Sequence, residues 1–256
     1  MGGLNIATGS SSVRHKPPRT LGVIMLETRF PRLPGDIGNP ASFAWPVRYH
    51  VVKGASPSRV IHEGARGLVE PFIDAARQLA AEGCTAITTS CGFLALHQPE
   101  LAAAVDVPLA ASSLCQVAGI AAGLPADRRV GVLTIAADAL SAAHFRAVGA
   151  DPTTPVFGVA PDGEFVRAIL GNQATMDAAL LHGEVLEAGR RLLACHPELG
   201  AIVLECTNMA PYARALSEHV RLPVFDIYSF VTWFHTGIAP RDFGHPASAA
   251  RPWRER

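Results

Sequence analysis

Apolar residues recur along this chain in two alternating arrangements. Continuous runs such as "LGVIML" (21–26) and "RVGVLTI" (129–135) lack polar interruption, as expected of strands covered on both faces in a parallel sheet. Between them, "EPFIDAARQLAAEG" (70–83) sets Phe72, Ala76 and Leu79 at helical spacing and ends in glycine, a helix with its stop signal. The pattern then predicts a strand over 84–90, a helix over 98–105 and a short strand over 107–112. After the 129–135 strand the same order returns. A helix is expected over 138–149 with Asp138 as its N-cap, and a longer helix over 175–195. A strand over 201–205, a helix from about Asn208 and a strand over 222–227 follow.

The two halves keep register. Cys206 lies 115 positions beyond Cys91, Pro223 lies 115 beyond Pro108, and Ala201-Ile202 repeats Ala86-Ile87 at the same offset. This is the signature of a duplicated α/β unit. It predicts two pseudo-symmetric open parallel-sheet, Rossmann-like domains with the active site in the cleft between them. The expected division is 1–19 as a flexible N-terminal tail, 20–115 plus 228–256 as the first domain, and 116–227 as the second.

Charge and composition remove several classes of function. Lys+Arg and Asp+Glu both number 22 in 256 residues, so bulk charge selects neither nucleic acid nor membrane as a partner. No apolar run reaches the roughly 20 residues that span a bilayer, and the N-terminus lacks the apolar core of a signal peptide. A cytoplasmic protein is expected. The five cysteines are odd in number, widely spaced and free of any C-x-x-C pair, which argues against a disulfide framework and a structural zinc site. Cys84, Cys115 and Cys195 read as small buried hydrophobes. The ten histidines show no ligand spacing on a predicted helix, so no metal site is expected.

Cys91 and Cys206 read differently, because each stands where a strand hands over to a helix, in "AITTSCGF" (86–93) and "AIVLECTNM" (201–209). Ligands of open α/β sheets sit beyond such strand ends. One thiolate can take a proton from a substrate carbon while the other thiol returns one to the opposite face. Helix starts after both cysteines are expected to lower the thiol pKa values and to offer N–H groups to a carboxylate. Gly92 permits close backbone approach, and Thr207 and Asn208 add polar groups beside the second thiol. His182, on the predicted long helix, reads as a surface or partly buried residue.

The paired motifs "TTSCGF" and "LECTNM", with "VGVLT" (130–134) opening the second half, resemble those of the aspartate/glutamate racemase superfamily, which includes hydantoin racemases. The resemblance covers about residues 20–235. It implies a cofactor-independent racemase or epimerase of an amino acid, small carboxylate or hydantoin, with Cys91 and Cys206 as the two catalytic acid–base groups. By the resemblance Glu27, Thr134 and Thr207 match substrate-contact positions, and Ser90, Gly92, Phe93 and Asn208, beside the two cysteines, are further expected substrate contacts. A small carboxylate is the implied partner, and a homodimer is compatible with the family. The chain departs from glutamate and aspartate racemases at Gly92 and Phe93, where they carry Asn-Thr. An aromatic ring there disfavours an acidic substrate side chain, unless Phe93 turns into the core. The loop "FPRLPGDIGNP" (30–40) is long and polar enough to cover a cleft, and Arg29 and Arg32 are candidate carboxylate partners. Three alternatives stay open: a maleate-isomerase-like enzyme, an arylmalonate-decarboxylase-like enzyme (disfavoured by the second cysteine), and a binding protein without turnover.

Overall fold

The computed structural model describes residues 19–242. The predicted N-terminal tail lies outside them apart from its last residue, as does the chain from residue 243. Strand β1 (Thr20–Leu26) is buried from Leu21 onward, which accounts for its unbroken apolar sequence. The chain then forms β2 (Val47–Val52), α1 (Pro57–His62), α2 (Val69–Ala81), β3 (Cys84–Thr89), α3 (Gln98–Ala103), β4 (Leu109–Ala110) and α4 (Val117–Ala122). Helix α2 buries Phe72, Ala75, Ala76 and Leu79 on one stripe. Gly83 follows it with φ +87°, the left-handed residue that ends a helix.

The second half contributes β5 (Arg129–Thr134), α5 (Ala142–Ala147), β6 (Val156–Gly158), α6 (Ala178–Cys195), β7 (Leu199–Leu204), α7 (Ala213–Val220), β8 (Val224–Phe225) and α8 (Ile227–Ile238). The expected cap at Asp138 is corrected: Ser141 begins α5, in a capping box with His144. Asp177 caps α6. Cys195 ends α6 exposed and Cys115 is half-buried, so among the three cysteines read as core only Cys84 is buried.

Each half forms a four-stranded parallel sheet, ordered β2-β1-β3-β4 in the first and β6-β5-β7-β8 in the second. The duplication extends to irregularities. The β1–β3 register slips between Thr20 and Leu21, and the β5–β7 register slips at the matching place between Arg129 and Val130. Ile87 N donates to Pro108 O at 2.9 Å, and Ile202 N donates to Pro223 O at 3.0 Å. Helix α8 returns to the first sheet, where Ile227, Phe230 and Val231 pack with Leu21, Val23 and Met25.

In each sheet the chain leaves the first-formed strand in one direction and later adds the third-formed strand on its other side. The crevice beyond the carboxyl ends of that strand pair is the place where open sheets receive ligands. The two crevices, after β1/β3 and after β5/β7, meet.

Candidate active site

Both sheets send their third-formed strand toward the same point. Cys91 follows β3 and Cys206 follows β7; each precedes a 3-10 turn, Gly92–His97 and Thr207–Tyr212, rather than the α-helix expected from about Asn208. Both cysteines are 7% exposed and line one cavity. The predicted residues Ser90, Gly92, Phe93, Thr207 and Asn208 line it too, with Arg32. Water-sized molecules can centre in only about 20 Å³ of it, room for about one water.

The walls are mostly apolar, with Phe30, Ile61, Phe93, Ile135 and Ile169 lining the same cavity as the thiols. Phe93 is 3% exposed and meets the His144 ring edge-on at 5.6 Å. It therefore serves cavity and core together. The 30–40 loop covers the cleft through a polar chain. Arg32 stacks over the Phe30 ring at 4.5 Å and donates to Asp36 at 3.0 Å and to Thr28 at 2.9 Å. Asp36, 2% exposed, accepts from Asn208 Nδ2 at 2.6 Å. Asn208 Oδ1 in turn faces Cys206 Sγ at 3.8 Å. A second tie crosses nearby: Asn172, at φ +49°, accepts from Arg29 N at 2.7 Å and donates to Glu27 O at 3.3 Å. Arg29 is thus held at the rim, and Arg32 is the arginine that reaches the cavity.

Two expected contacts fall elsewhere. The Glu27 side chain is exposed, accepts from Gly54 N at 2.8 Å and does not line the cavity. Thr134 lies behind the lining and donates to Glu205 Oε2 at 2.6 Å. His182 is half-buried, its ring 5.9 Å from that of Tyr212. Among the described residues, no group of three or more His, Cys, Asp or Glu is placed to hold a metal ion, and no helix is long and apolar enough to cross a membrane.

Glu205 is the residue that sequence reasoning passed over. It directly follows β7 with 0% exposure, lines the same cavity as the cysteines, and leaves Oε1 without a hydrogen-bond partner. Burial raises its pKa to about 8 against the pull of the Thr134 hydrogen bond. The sole sequence signal was an acid closing an otherwise apolar strand run.

Burial also reverses the expected effect on the thiols. Cys91 is pushed up to about 12 by burial and then by Glu205, while the N–H groups of Phe93 and Leu94 and the Arg32 charge act against the rise. Cys206 is raised well above the ordinary thiol value by burial and Glu205, with the Asn208 N–H opposing and Cys91 and Asp36 adding to it. The turn N–H groups do lower both thiols, but desolvation outweighs them.

No protein-family model matches the chain. In sequence it is 26% identical to a dimethylsulfoniopropionate lyase of Durusdinium sp. clade D, over 94% of this chain and 85% of that protein. It is 30% identical to dimethylsulfoniopropionate lyase 7 of Emiliania huxleyi, over 81% of this chain and 63% of that protein. In structure it matches allantoin racemase from Klebsiella pneumoniae, with a TM-score of 0.60, 18% identity and coverage of 86% and 87%. Unliganded arylmalonate decarboxylase gives 0.57, 18% identity and coverage of 87% and 93%. Picrophilus torridus aspartate racemase gives 0.51, 13% identity and coverage of 86% and 94%. At these identities the structural likeness is one of fold: the chain has the two-domain α/β architecture of these racemases and of the decarboxylase, while in sequence it is similar to dimethylsulfoniopropionate lyases.

Proposed function

We propose that this chain is a thiol-dependent enzyme that removes the α-proton of a small carboxylate, and that its reaction is β-elimination from dimethylsulfoniopropionate. The reading is carried by the meeting of Cys91 and Cys206, from equivalent places in two repeats, on one small cavity. A thiolate takes the proton next to the carboxylate. That C–H electron pair becomes the new C=C bond, and the C–S bond breaks with its pair retained by sulfur. The products are acrylate, dimethyl sulfide and a proton held on the thiol until water removes it. No redox partner enters this balance.

Charge supports a sulfonium substrate. Burial holds both thiols neutral, and the nearby cation, Arg32, is already engaged by Asp36 and Thr28. A substrate that carries its own cation into the cavity favours the thiolate at the moment it is needed. The methyl groups suit the Phe30, Ile61, Phe93, Ile135 and Ile169 walls. The relatives similar in sequence are lyases of this substrate by name.

A second reading keeps the same carbanion and returns the proton to its other face: racemisation of a small carboxylate or hydantoin. The presence of a cysteine in both repeats favours it, because elimination needs one base. The test is incubation with dimethylsulfoniopropionate in deuterium oxide with chelator present, following dimethyl sulfide in the headspace and acrylate by NMR. D- and L-amino acids, hydantoins and maleate run in parallel. Dimethyl sulfide with stoichiometric acrylate is expected. Deuterium entering an amino acid or hydantoin with inversion, and no dimethyl sulfide, replaces the lyase with the racemase.

A further inference from the structure

Glu205 has a place in this cavity that the two-thiol chemistry does not account for. We infer that Glu205 is a third functional group of the site, a neutral acid that donates a hydrogen bond from Oε1 to a carboxylate oxygen of the bound ligand. The inference deepens the reading above, since it takes the ligand to be a carboxylate.

The geometry begins with the orphaned oxygen. Oε2 accepts from Thr134, whereas Oε1 is fully buried, has no partner and belongs to a residue of the cavity wall. Cys91 and Cys206 are the titratable groups that feel this carboxyl, Gly92 packs directly against Oε1, and Arg32 and Asp36 from the covering loop act on the thiols. Arg32 is tied to Asp36 and Thr28, not to Glu205. A buried carboxylate with one hydrogen bond and no cation is strongly disfavoured, so the neutral acid prevails. A neutral carboxyl has an O–H to donate. With Oε2 taken, that donor is Oε1, and a carboxylate ligand supplies the missing acceptor.

The repeat shows that the fold alone does not require an acid here. Ser90 occupies the equivalent position in the first half, and its Oγ accepts from Leu26 N at 3.0 Å. Its backbone N–H donates to Ile24 O, and that of Glu205 donates to Leu133 O, both at 2.9 Å. The same corner is therefore closed with a hydroxyl in one half and with an acid in the other. As the α-proton leaves, negative charge moves onto the ligand carboxylate, and a donor already aimed at that oxygen gains strength with the charge. Glu205 keeps its proton throughout, so the step remains balanced.

Propionate is the probe, because it offers the carboxylate without a leaving group and its binding needs no turnover. Its affinity for wild-type protein, Glu205→Gln and Glu205→Leu is measured by calorimetry across pH 6–10, a range set around the raised pKa of about 8. For wild type, affinity should fall by about tenfold per pH unit once Glu205 ionises. Glu205→Gln keeps a donor that cannot ionise, so the break should vanish while binding persists. Glu205→Leu removes the donor and should weaken binding about tenfold or more, with circular dichroism confirming its fold. A pH break that persists in Glu205→Gln, or wild-type affinity in Glu205→Leu, overturns the role. If the binding pattern appears and dimethylsulfoniopropionate is not turned over, the lyase reading fails and Glu205 keeps its role. If propionate fails to bind wild type at every pH, the cavity is no carboxylate site and both readings fall.

Discussion

The two cysteine corners are the same structure used in two ways. In each, the residue after the cysteine of one half meets the residue before the cysteine of the other. Thr207 Oγ1 donates to Ser90 O at 2.8 Å. At the equivalent crossing, Gly92 lies against Glu205 so closely that a Cβ would overlap both its carboxyl and its carbonyl oxygen. A small residue opposite Thr207 permits a hydrogen bond, and a large acid opposite position 92 requires glycine. One crossing is thus satisfied by a hydrogen bond, and the other leaves Glu205 Oε1 buried against Gly92 without a hydrogen-bond partner. Duplication supplied the symmetry, and a pair of linked residue choices at these corners breaks it.

The thiols differ in the same sense, and deleting them should give the largest effect. Cys91 receives two turn N–H groups and the Arg32 charge, while Cys206 receives one N–H and faces Asp36 and Cys91 as added negative charge. Cys91 is the easier thiolate and therefore the expected base. Cys91→Ala should lower elimination by roughly 10²–10⁴-fold, the usual loss on removing a catalytic base, and Cys206→Ala should lose less. Initial rates of dimethyl sulfide release at matched substrate give the ratio. Equal losses in both variants would mean that each thiol works on its own face, as racemisation requires.

Glu205 should next appear in stability. Its carboxyl has a folded-state pKa of about 8 against an ordinary 4.5, so between these values the folded chain holds a proton that the unfolded chain has released. Stability falls as pH rises through that window. Glu205→Gln removes the titration, so its stability relative to wild type should improve steadily from pH 5 to pH 8, by an amount on the order of a few kcal/mol. Urea unfolding at several pH values measures it, and parallel curves for the two proteins refute it. Gly92→Ala should follow, destabilising by about 1–3 kcal/mol through overpacking. Combining it with Glu205→Ser recreates the small partner that Thr207 has, and should recover part of the loss. An additive double variant would show that the two positions are not coupled.

Much of this was legible in the sequence because it repeats. The 115-residue offset located both cysteine corners, and the buried strands β1, β3, β5 and β7 appear as apolar runs. Strand β2 was missed because it lies at a sheet edge, half-exposed, with Arg48 and His50 among its apolar residues. Strand β6 has three residues, too few for a pattern. Glu205 escaped because its burial depends on Gly92 of the other half, a contact between residues 113 positions apart. The thiols were misjudged because local N–H groups are visible in sequence, whereas the desolvation that outweighs them arises only when the halves meet.

The smallest expected effect concerns the satisfied crossing. Thr207 is 1% exposed, and its hydroxyl reaches from the second half to the Ser90 carbonyl of the first. Thr207→Val keeps the shape and removes the donor, which should cost about 0.5–1.5 kcal/mol. The bond joins the two halves rather than stabilising either one, so the loss should also show in how often the cleft opens. Alkylation of Cys91, 7% exposed in the closed cavity, should then be faster than in wild type in a Cys84→Ser, Cys115→Ser, Cys195→Ser, Cys206→Ser background that leaves one thiol to report. Thr207→Ser retains the hydroxyl and should restore the slow rate even though it loses a methyl group. A faster rate in both variants would assign the effect to packing, and unchanged stability and labelling in Thr207→Val would show that the crossing at Gly92 and Glu205 holds the halves together without it.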